Sequence, residues 1–418
     1  MVKKTVLKNG IRVISENIPH SHSVTIGIWV ANGSRSEAAE HNGVAHFIEH
    51  LLFKGTNRRN AHQIAREIDA IGGILNAFTS REYVCYYAKV LHRFLPKAVD
   101  LLADIFLNSQ FDPEEIEKER KVILQEIGLQ EDTPDDLVHD LYCRKFWQGD
   151  PLGMPIIGTQ KSIGALTREI IVEYRDNAYR GEEVVVAAAG LVDHAKLLLL
   201  LEGLFDRLKP GRSAAAPSRL SPGRKTEVMI RDLEQVHLCL GTLSLPQNHP
   251  KRYDAFILNT IFGGSMSSRL FQEVREKYGL AYSIYSYITS HSDSGSLAVY
   301  AGTGRDRLDD VIEIILREMK RLKTEPMAAE ELNEAKEQLK GNILLSLESS
   351  DNRMTKVAKN EIYLGQYQPL RQVMKGIDRV TSGSILDLAG EIIDERFLTM
   401  AVIGKLPSGY DIPAGSSL

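Results

Sequence analysis

The two halves of this chain follow the same pattern, and this repeat restricts the possible folds more than any other feature. Each half begins with strand-like segments, continues through helices interrupted by glycine, and ends in an apolar strand, Val184–Leu191 or Leu398–Ile403. A long helix, a loop and an acidic helix also recur when Ile116 is set against Leu332. The sequence therefore predicts two similar domains.

The segment between the halves has the composition of a linker. Residues 208–225 concentrate proline, glycine, serine and alanine and show no apolar periodicity. We expect an N-terminal domain over 1–212, a linker over 213–225 and a C-terminal domain over 226–418. With 418 residues, 43% of them hydrophobic, the chain can supply a core for each domain.

The run HFIEH at residues 46–50 is the most chemically specific motif. On a helix, at about 100° per residue, His46, Glu49 and His50 project from one face. Histidines four apart have β-carbons about 5 to 6 Å apart, so both imidazoles can bind one zinc ion while the carboxylate stays free beside them. This layout suits a hydrolytic metal site. A chance HxxEH is expected about once in a hundred such sequences, so a second feature must decide.

A catalytic zinc site needs a third protein ligand, which a distant helix could supply. The segment from Asp112 to Gln130 predicts such a helix, because Asp112 can cap it and Pro113 suits its first position. Glu119 and Glu126 lie two turns apart on one edge of its apolar stripe. The alternative is that both carboxylates are solvated surface charges of an ordinary amphipathic helix.

The run HFIEHLLFKGT, followed by Glu126 within ERKVILQEI, resembles the pitrilysin-type zinc metallopeptidases, an inverted zincin family. The similarity is greatest to bacterial relatives of the mitochondrial processing peptidase β subunit. It implies that His46, His50 and Glu126 bind one Zn²⁺ per chain. It also implies that Glu49 is the catalytic base and that Glu119 is a supporting carboxylate near the metal.

A run in the second half, FGGSMSSRLFQEVREKYGLAYSIYSY, resembles the other signature of this family. The resemblance implies that Arg275 and Tyr282 hold the substrate. Taken alone, Arg275 would be an exposed residue on a predicted helix, Met266–Lys277, and Tyr282 a half-buried residue on a predicted strand, Leu280–Ile288. Only the family pattern assigns both residues to a site.

The resemblance implies an α+β fold of two homologous domains, each a mostly antiparallel sheet packed with helices, as in processing-peptidase and LuxS-like metallohydrolases. The repeat sets Ala335 opposite Glu119 and Asn342 opposite Glu126, so the second half cannot build the same zinc site. Our hypothesis is that the first half binds metal and the second half holds substrate.

A predicted strand over residues 74–79, ILNAFT, follows the HFIEH segment. In the family, the matching strand is an exposed edge on which an extended peptide pairs through its backbone. The resemblance therefore implies that Asn76, Ala77 and Phe78 bind substrate. An ordinary strand of an α+β domain could carry the same sequence, and this alternative stays open.

The expected activity is that of a zinc metalloendopeptidase acting on small or unfolded peptides in extended form. Zinc-bound water would attack the scissile carbonyl, with Glu49 as general base and then general acid. One alternative is a catalytically silent scaffold or partner subunit of the same fold, against which the intact ligand set argues. Another is a non-proteolytic or purely structural zinc site, and a structural site would not need the spare carboxylate.

Composition argues against several other classes. A net charge of −4 gives no reason to expect nucleic-acid binding. No apolar run approaches the roughly 18 residues of a membrane helix, so we expect no membrane segment and a cytoplasmic bacterial protein. Cys85, Cys143 and Cys239 form no CxxC pair, which argues against a disulfide framework or a thiolate zinc site. The resemblance implies a homodimer, because small family members pair two chains and both signatures occur here in one chain.

Overall fold

The computed structural model describes residues 1–212, 217–218, 220–407 and 409–411 of the chain. Its strands are β1 Val2–Val6, β2 Arg12–Asn17, β3 Ser23–Val30, β4 Ile74–Thr79, β5 Val84–Leu91, β6 Val184–Gly190, β7 Lys225–Ile230, β8 Val236–Leu243, β9 Ala281–Ser290, β10 Gly295–Thr303 and β11 Thr399–Gly404. The strands that were predicted to end the two halves correspond to β6 and β11.

Helices make up most of the remaining secondary structure. The α-helices are α1 Val44–Leu51, α2 Ala61–Asp69, α3 Leu95–Asn108, α4 Pro113–Glu131, α5 Pro134–Phe146, α6 Gln160–Ala165, α7 Arg168–Ala178, α8 His194–Leu201, α9 Arg252–Phe262, α10 Leu308–Thr324, α11 Ala329–Ser346, α12 Ser350–Leu364, α13 Leu370–Asp378 and α14 Ser382–Ile392. A π-helix, Phe271–Lys277, lies between α9 and β9.

Two sheets share one topology. The first has the order β1-β2-β6-β3-β5-β4 and the second the order β7-β11-β8-β10-β9. Without β1 the two orders correspond strand for strand, and in both sheets a single pair is parallel, β2 with β6 and β7 with β11. The other pairs are antiparallel. The predicted α+β fold of two homologous, mostly antiparallel domains is therefore confirmed.

The chain forms two compact units, each with a helix from the other half of the sequence. The first unit comprises the described residues of Met1–Gly128, Met154–Ala216 and Ser346–Tyr367, and the second those of Leu129–Gly153, Pro217–Leu345 and Gln368–Leu418. Helix α12 thus belongs to the first unit and α5 to the second. The division into 1–212, 213–225 and 226–418 stays a prediction, and residues 213–216 and 219 of its linker lie outside the described residues.

In the first unit both faces of the sheet are covered, which explains why β6 is buried at every position. On one face, Trp29 and Val185 pack against Met354 and Val357 of α12. The Trp29 indole N–H lies 3.0 Å from the Met354 sulfur. The opposite face packs against α1, α3 and α4 in the main core of this unit. An apolar run without alternation is the expected sequence of such a doubly covered strand.

The second unit repeats this arrangement with the other exchanged helix. Leu141 and Tyr142 of α5 pack against Cys239, Ala298 and Ala401 on one face of the second sheet. The other face of that sheet packs against α9, α10 and α14. Across the described residues, no helix combines the length and apolar character that crossing a membrane requires.

Candidate functional site

Helix α1 is positioned by an apolar face that leaves the HFIEH polar groups on the other side. Phe47, Ile48 and Leu51 are buried in the first unit, whereas His46, Glu49 and His50 are partly exposed. The helix follows Gly43, whose φ of 94° is left-handed, and a Cβ there would lie 2.7 Å from Ile163 Cδ1. Glycine is therefore required at the point where the chain turns into the helix.

A buried carboxylate holds the start of α1. Glu37 is only 4% exposed, and it accepts hydrogen bonds from Gly43 N at 2.7 Å, Ala45 N at 2.8 Å and Asn42 Nδ2 at 2.9 Å. Burial raises the pKa of Glu37 to about 7, and these hydrogen bonds oppose the rise. The side chain satisfies amides that an α-helix leaves unpaired at its N-terminus, so it fixes the position of the helix.

The three predicted metal ligands lie together. Glu126 Oε2 on α4 is 3.5 Å from His50 Nε2 and 3.9 Å from His46 Nε2. The centroids of the two imidazole rings are 4.7 Å apart. One ligand atom of each residue lies within 4.8 Å of the others. A tetrahedral zinc ion with bonds of about 2.0–2.2 Å requires ligand atoms roughly 3.4 Å apart.

One polar atom at this position supports the fit of a cation. Glu126 Oε2, which faces the Nε2 atoms of both histidines, is buried and has no hydrogen-bond partner among the described residues. Burial, and secondarily the neighbouring His50, lowers the pKa of His46 to about 4. Its imidazole is therefore neutral near pH 7, which is the form that binds metals. The donor set of two imidazoles and one carboxylate is that of a catalytic zinc site.

The second predicted glutamate of α4 lies behind one imidazole. Glu119 is 5% exposed, and its Oε2 is 3.0 Å from His50 Nδ1. Its Oε1 is 2.6 Å from Lys54 Nζ. Since His50 Nε2 faces Glu126, the two ring nitrogens of His50 have different partners. A carboxylate at the far nitrogen of a metal-binding histidine fixes the ring orientation and tautomer.

The predicted base, Glu49, lies one helix position before His50. The Thr79 hydroxyl at the end of β4 donates a hydrogen bond to Glu49 Oε2. Burial raises the pKa of Glu49, and the Thr79 hydrogen bond and the nearby His50 oppose that rise. The carboxylate is therefore oriented by β4 and is a stronger base than an exposed glutamate.

Strand β4 is an edge of the first sheet and pairs, among the described residues, with β5 alone. The strand predicted over 74–79 is confirmed. Asn76 is exposed, its Oδ1 accepts a hydrogen bond from Ala77 N at 2.8 Å, and Phe78 packs edge-on against Trp29 with ring centres 5.4 Å apart. The edge is available for backbone pairing, and the substrate-binding role of Asn76, Ala77 and Phe78 stays a prediction.

The other two predicted substrate residues lie together in the second unit. The Arg275 guanidinium carbon is 4.8 Å from the centre of the Tyr282 ring, and Tyr282 is 78% exposed. The predicted helix Met266–Lys277 is wrong at its start, because Met266 lies in a turn and Phe271–Lys277 is a π-helix. The Ser268 hydroxyl bonds Ser265 O at 2.6 Å, and serine competing for the backbone in this way disfavours a helix.

Three residues that support the HFIEH site, directly or through a neighbour, were missed by the sequence reasoning: Glu37, Lys54 and Thr79. Lys54 follows His50 by four positions, a spacing that places both side chains on one side of the chain and could have revealed it. Glu37 lies too far before α1 to be recognised as an ordinary N-cap, and Thr79 reaches Glu49 only through tertiary structure.

Comparison with known proteins identifies the family. Residues 12–160 match the family described as insulinase (peptidase family M16), and residues 165–339 match the one described as the peptidase M16 inactive domain. The chain belongs to the insulinase family of peptidases. In this insulinase-family chain the match to the inactive domain includes Ala335, the residue that the sequence repeat aligns with Glu119.

Relatives along the whole length agree with this assignment. The uncharacterized zinc protease YmxG of Bacillus subtilis is 41% identical, with 98% of this chain and 100% of YmxG covered. An uncharacterized zinc protease of Mycobacterium leprae is 39% identical, with 99% and 94% covered. A protease from Helicobacter pylori has the same fold, with a TM-score of 0.91, 22% identity, and 96% of this chain and 99% of that chain covered.

Proposed function

We propose that this insulinase-family protein is a zinc metalloendopeptidase that hydrolyses small or unfolded peptides bound in extended form. The observation that supports this most is the grouping of His46, His50 and Glu126 beside Glu49. The first three residues would hold one zinc ion per chain. When bound, zinc supplies a Lewis acid that lowers the pKa of water to about 7 and polarises a carbonyl oxygen.

Glu49 is the general base of the proposed reaction. Its carboxylate takes a proton from the attacking water and then gives it to the nitrogen of the leaving amine. The Thr79 hydrogen bond orients the carboxylate, and partial burial raises its pKa, which favours proton uptake. No serine or cysteine nucleophile is needed in this scheme.

Replacing Glu49 tests the catalytic step independently of metal binding. Glu49→Gln keeps the shape of the side chain and removes the base, so we expect zinc content to be unchanged and the peptide-cleavage rate to fall by at least about a hundredfold. The control Glu40→Gln, at an exposed acid before α1, should cleave like the wild type. A Glu49→Gln protein that retains most of its rate would show that the assigned base is wrong.

Removing the metal distinguishes a zinc peptidase from the alternative functions. A chelator should abolish cleavage of casein or a peptide library, and added zinc should restore it. A wild-type chain that binds zinc but cleaves no peptide would instead indicate a non-proteolytic or structural zinc site. A chain with neither property would indicate the silent scaffold of the same fold.

Substrate binding is proposed for two surfaces. The free edge of β4 would pair with the backbone of an extended peptide, which requires little of its sequence. Arg275 and Tyr282, whose side chains contact each other in the second unit, would hold the peptide in register. The charge and aromatic ring of this pair suit a peptide carbonyl or carboxylate.

The proposed assembly is a homodimer, because metal-site and substrate-site signatures occur in the same chain. Gel filtration with light scattering should give twice the 46.7 kDa of one chain. A mass of one chain over the working concentration range would exclude the dimer.

A further inference from the structure

We propose that Lys54 is a positioning residue for zinc binding, which acts by holding Glu119 against His50. This inference rests on the proposed function. Lys54 Nζ is 2.6 Å from Glu119 Oε1, and Glu119 Oε2 is 3.0 Å from His50 Nδ1. The carboxylate therefore joins the ammonium group to the imidazole, with one oxygen for each.

The backbone fixes Lys54 in this place. Lys54 N donates to Leu51 O at 3.1 Å, so the chain continues in turns for three residues after the end of α1. The next carbonyl, of Gly55, accepts from Gln110 N at 3.1 Å, which ties the segment to the residues after α3. His46 and His50 share one side of α1, and Lys54 lies on the same side as His50 because both contact Glu119.

The contact determines which nitrogen of His50 is available to a metal. When Nδ1 carries the proton and donates it to Glu119, Nε2 keeps the lone pair that faces Glu126 Oε2 at 3.5 Å. Glu119 must stay in place for this arrangement, and its side chain is 6% exposed. Without Lys54 the carboxylate would lose its ammonium partner and would hold the imidazole less firmly.

A second lysine–glutamate pair on α4 provides a matched control. Lys118 Nζ is also 2.6 Å from a carboxylate oxygen, that of Glu115, but Lys118 is 62% exposed and its partner 29% exposed. Among the described residues, neither Lys118 nor Glu115 forms a hydrogen bond or ion pair with His46, His50 or Glu126. Exposed ion pairs of this kind contribute little to the stability of the folded protein. The same substitution at Lys118 therefore changes net charge equally without affecting the site.

The test compares zinc affinity of the full chain after the same change at both lysines. Lys54→Met should raise the Zn²⁺ dissociation constant, measured by competition with a chelator, about tenfold or more, as changes behind a metal ligand do. Lys118→Met should stay within about twofold of the wild type. Equal affinities of Lys54→Met and wild type would overturn the proposal.

A double-mutant cycle tests whether Lys54 acts through Glu119. The loss caused by Lys54→Met should largely disappear in a Glu119→Leu background, since residue 119 then has no acceptor for Lys54 or His50. A loss that persists undiminished there would overturn the proposed route. If Lys54→Met does not fold, as judged by thermal unfolding of the metal-free protein, Lys54→Gln is measured with the same expectations.

Failure of this inference differs from failure of the proposed function. A wild type that cleaves peptides and a Lys54→Met protein that binds Zn²⁺ equally well would refute only the role of Lys54. A wild type that binds Zn²⁺ without cleaving peptides would refute the peptidase, while the loss of affinity in Lys54→Met would still support the positioning role.

Discussion

At the scale of single residues, the site depends on side chains that support the proposed metal ligands but do not themselves bind the metal. Glu37 holds the start of α1 through three hydrogen bonds, and Thr79 orients Glu49 from the end of β4. The separation between His46 and Glu126 depends on the placement of α1 relative to α4. A change at such a supporting residue therefore affects stability and metal binding together.

Glu37→Ala should destabilise the first unit. Loss of the carboxylate removes a helix cap and leaves buried amides of Gly43 and Ala45 unpaired, so we expect the free energy of unfolding to fall by about 2 kcal/mol or more. Urea unfolding of the metal-free protein measures this change. The exposed Glu40→Ala is the control and should differ little from the wild type. A Glu37→Ala protein as stable as that control would show that the cap contributes little.

The sequence was sufficient to identify the residues whose chemistry depends on local spacing. His46, Glu49 and His50 share a helix turn, and Glu119 and Glu126 share a helix edge, so each set could be predicted from its spacing. The expectation that the two sets meet came from the family resemblance alone. Glu37 and Thr79 could not be found in this way, because their contacts depend on how loops and strands return to α1. Lys54 is an intermediate case, since the four-residue spacing is visible in the sequence.

At the scale of elements, the boundaries with strong local signals were predicted well. Helix α4 begins at Pro113, one residue after its expected cap, and β4 spans the predicted residues 74–79. The π-helix Phe271–Lys277 was not predicted, because its apolar spacing resembles that of an α-helix and the serines before it shift its start. Whether a strand lies at the edge of a sheet also depends on the tertiary structure, and the β-propensity of its own sequence does not indicate it.

The proposed role of β4 as a substrate edge can be tested at its backbone. Ala77 N donates a hydrogen bond to the Asn76 side chain, and Ala77→Pro would remove this amide from the edge strand. We expect KM for an extended peptide to rise about tenfold, the value of one lost hydrogen bond. Ala77→Ser keeps the amide and is the control. An unchanged KM in Ala77→Pro would argue against backbone pairing at this position.

At the scale of the whole molecule, the two units are interdependent because each includes a helix from the other half. Helix α12 covers Trp29 and Val185 of the first sheet, and α5 covers Cys239 and Ala298 of the second. The strand patterns predicted two similar sheets, but nothing in them indicates which helix covers which sheet. The exchange could therefore not be predicted from the sequence.

This exchange predicts that neither half folds alone. A fragment of residues 1–212 lacks α12, and a fragment of 217–418 lacks α5, so each would expose an apolar sheet face. Expressed separately, the fragments should show no cooperative thermal unfolding. Expressed together, they should copurify and unfold cooperatively. Cooperative unfolding of either fragment alone would contradict the interdependence.

The positions of the three proposed ligands in the sequence also have a mechanical consequence. His46 and His50 come from α1, whereas Glu126 comes from α4, with α2, β4, β5 and α3 between them in the sequence. A cation bound by both helices would close this loop as a cross-link does, and a ligand that binds only the native state lowers the population of the opened state by mass action. Resistance to digestion by an added protease should then rise with metal loading. The ion proposed to supply the catalysis would also make the chain less susceptible to proteolysis.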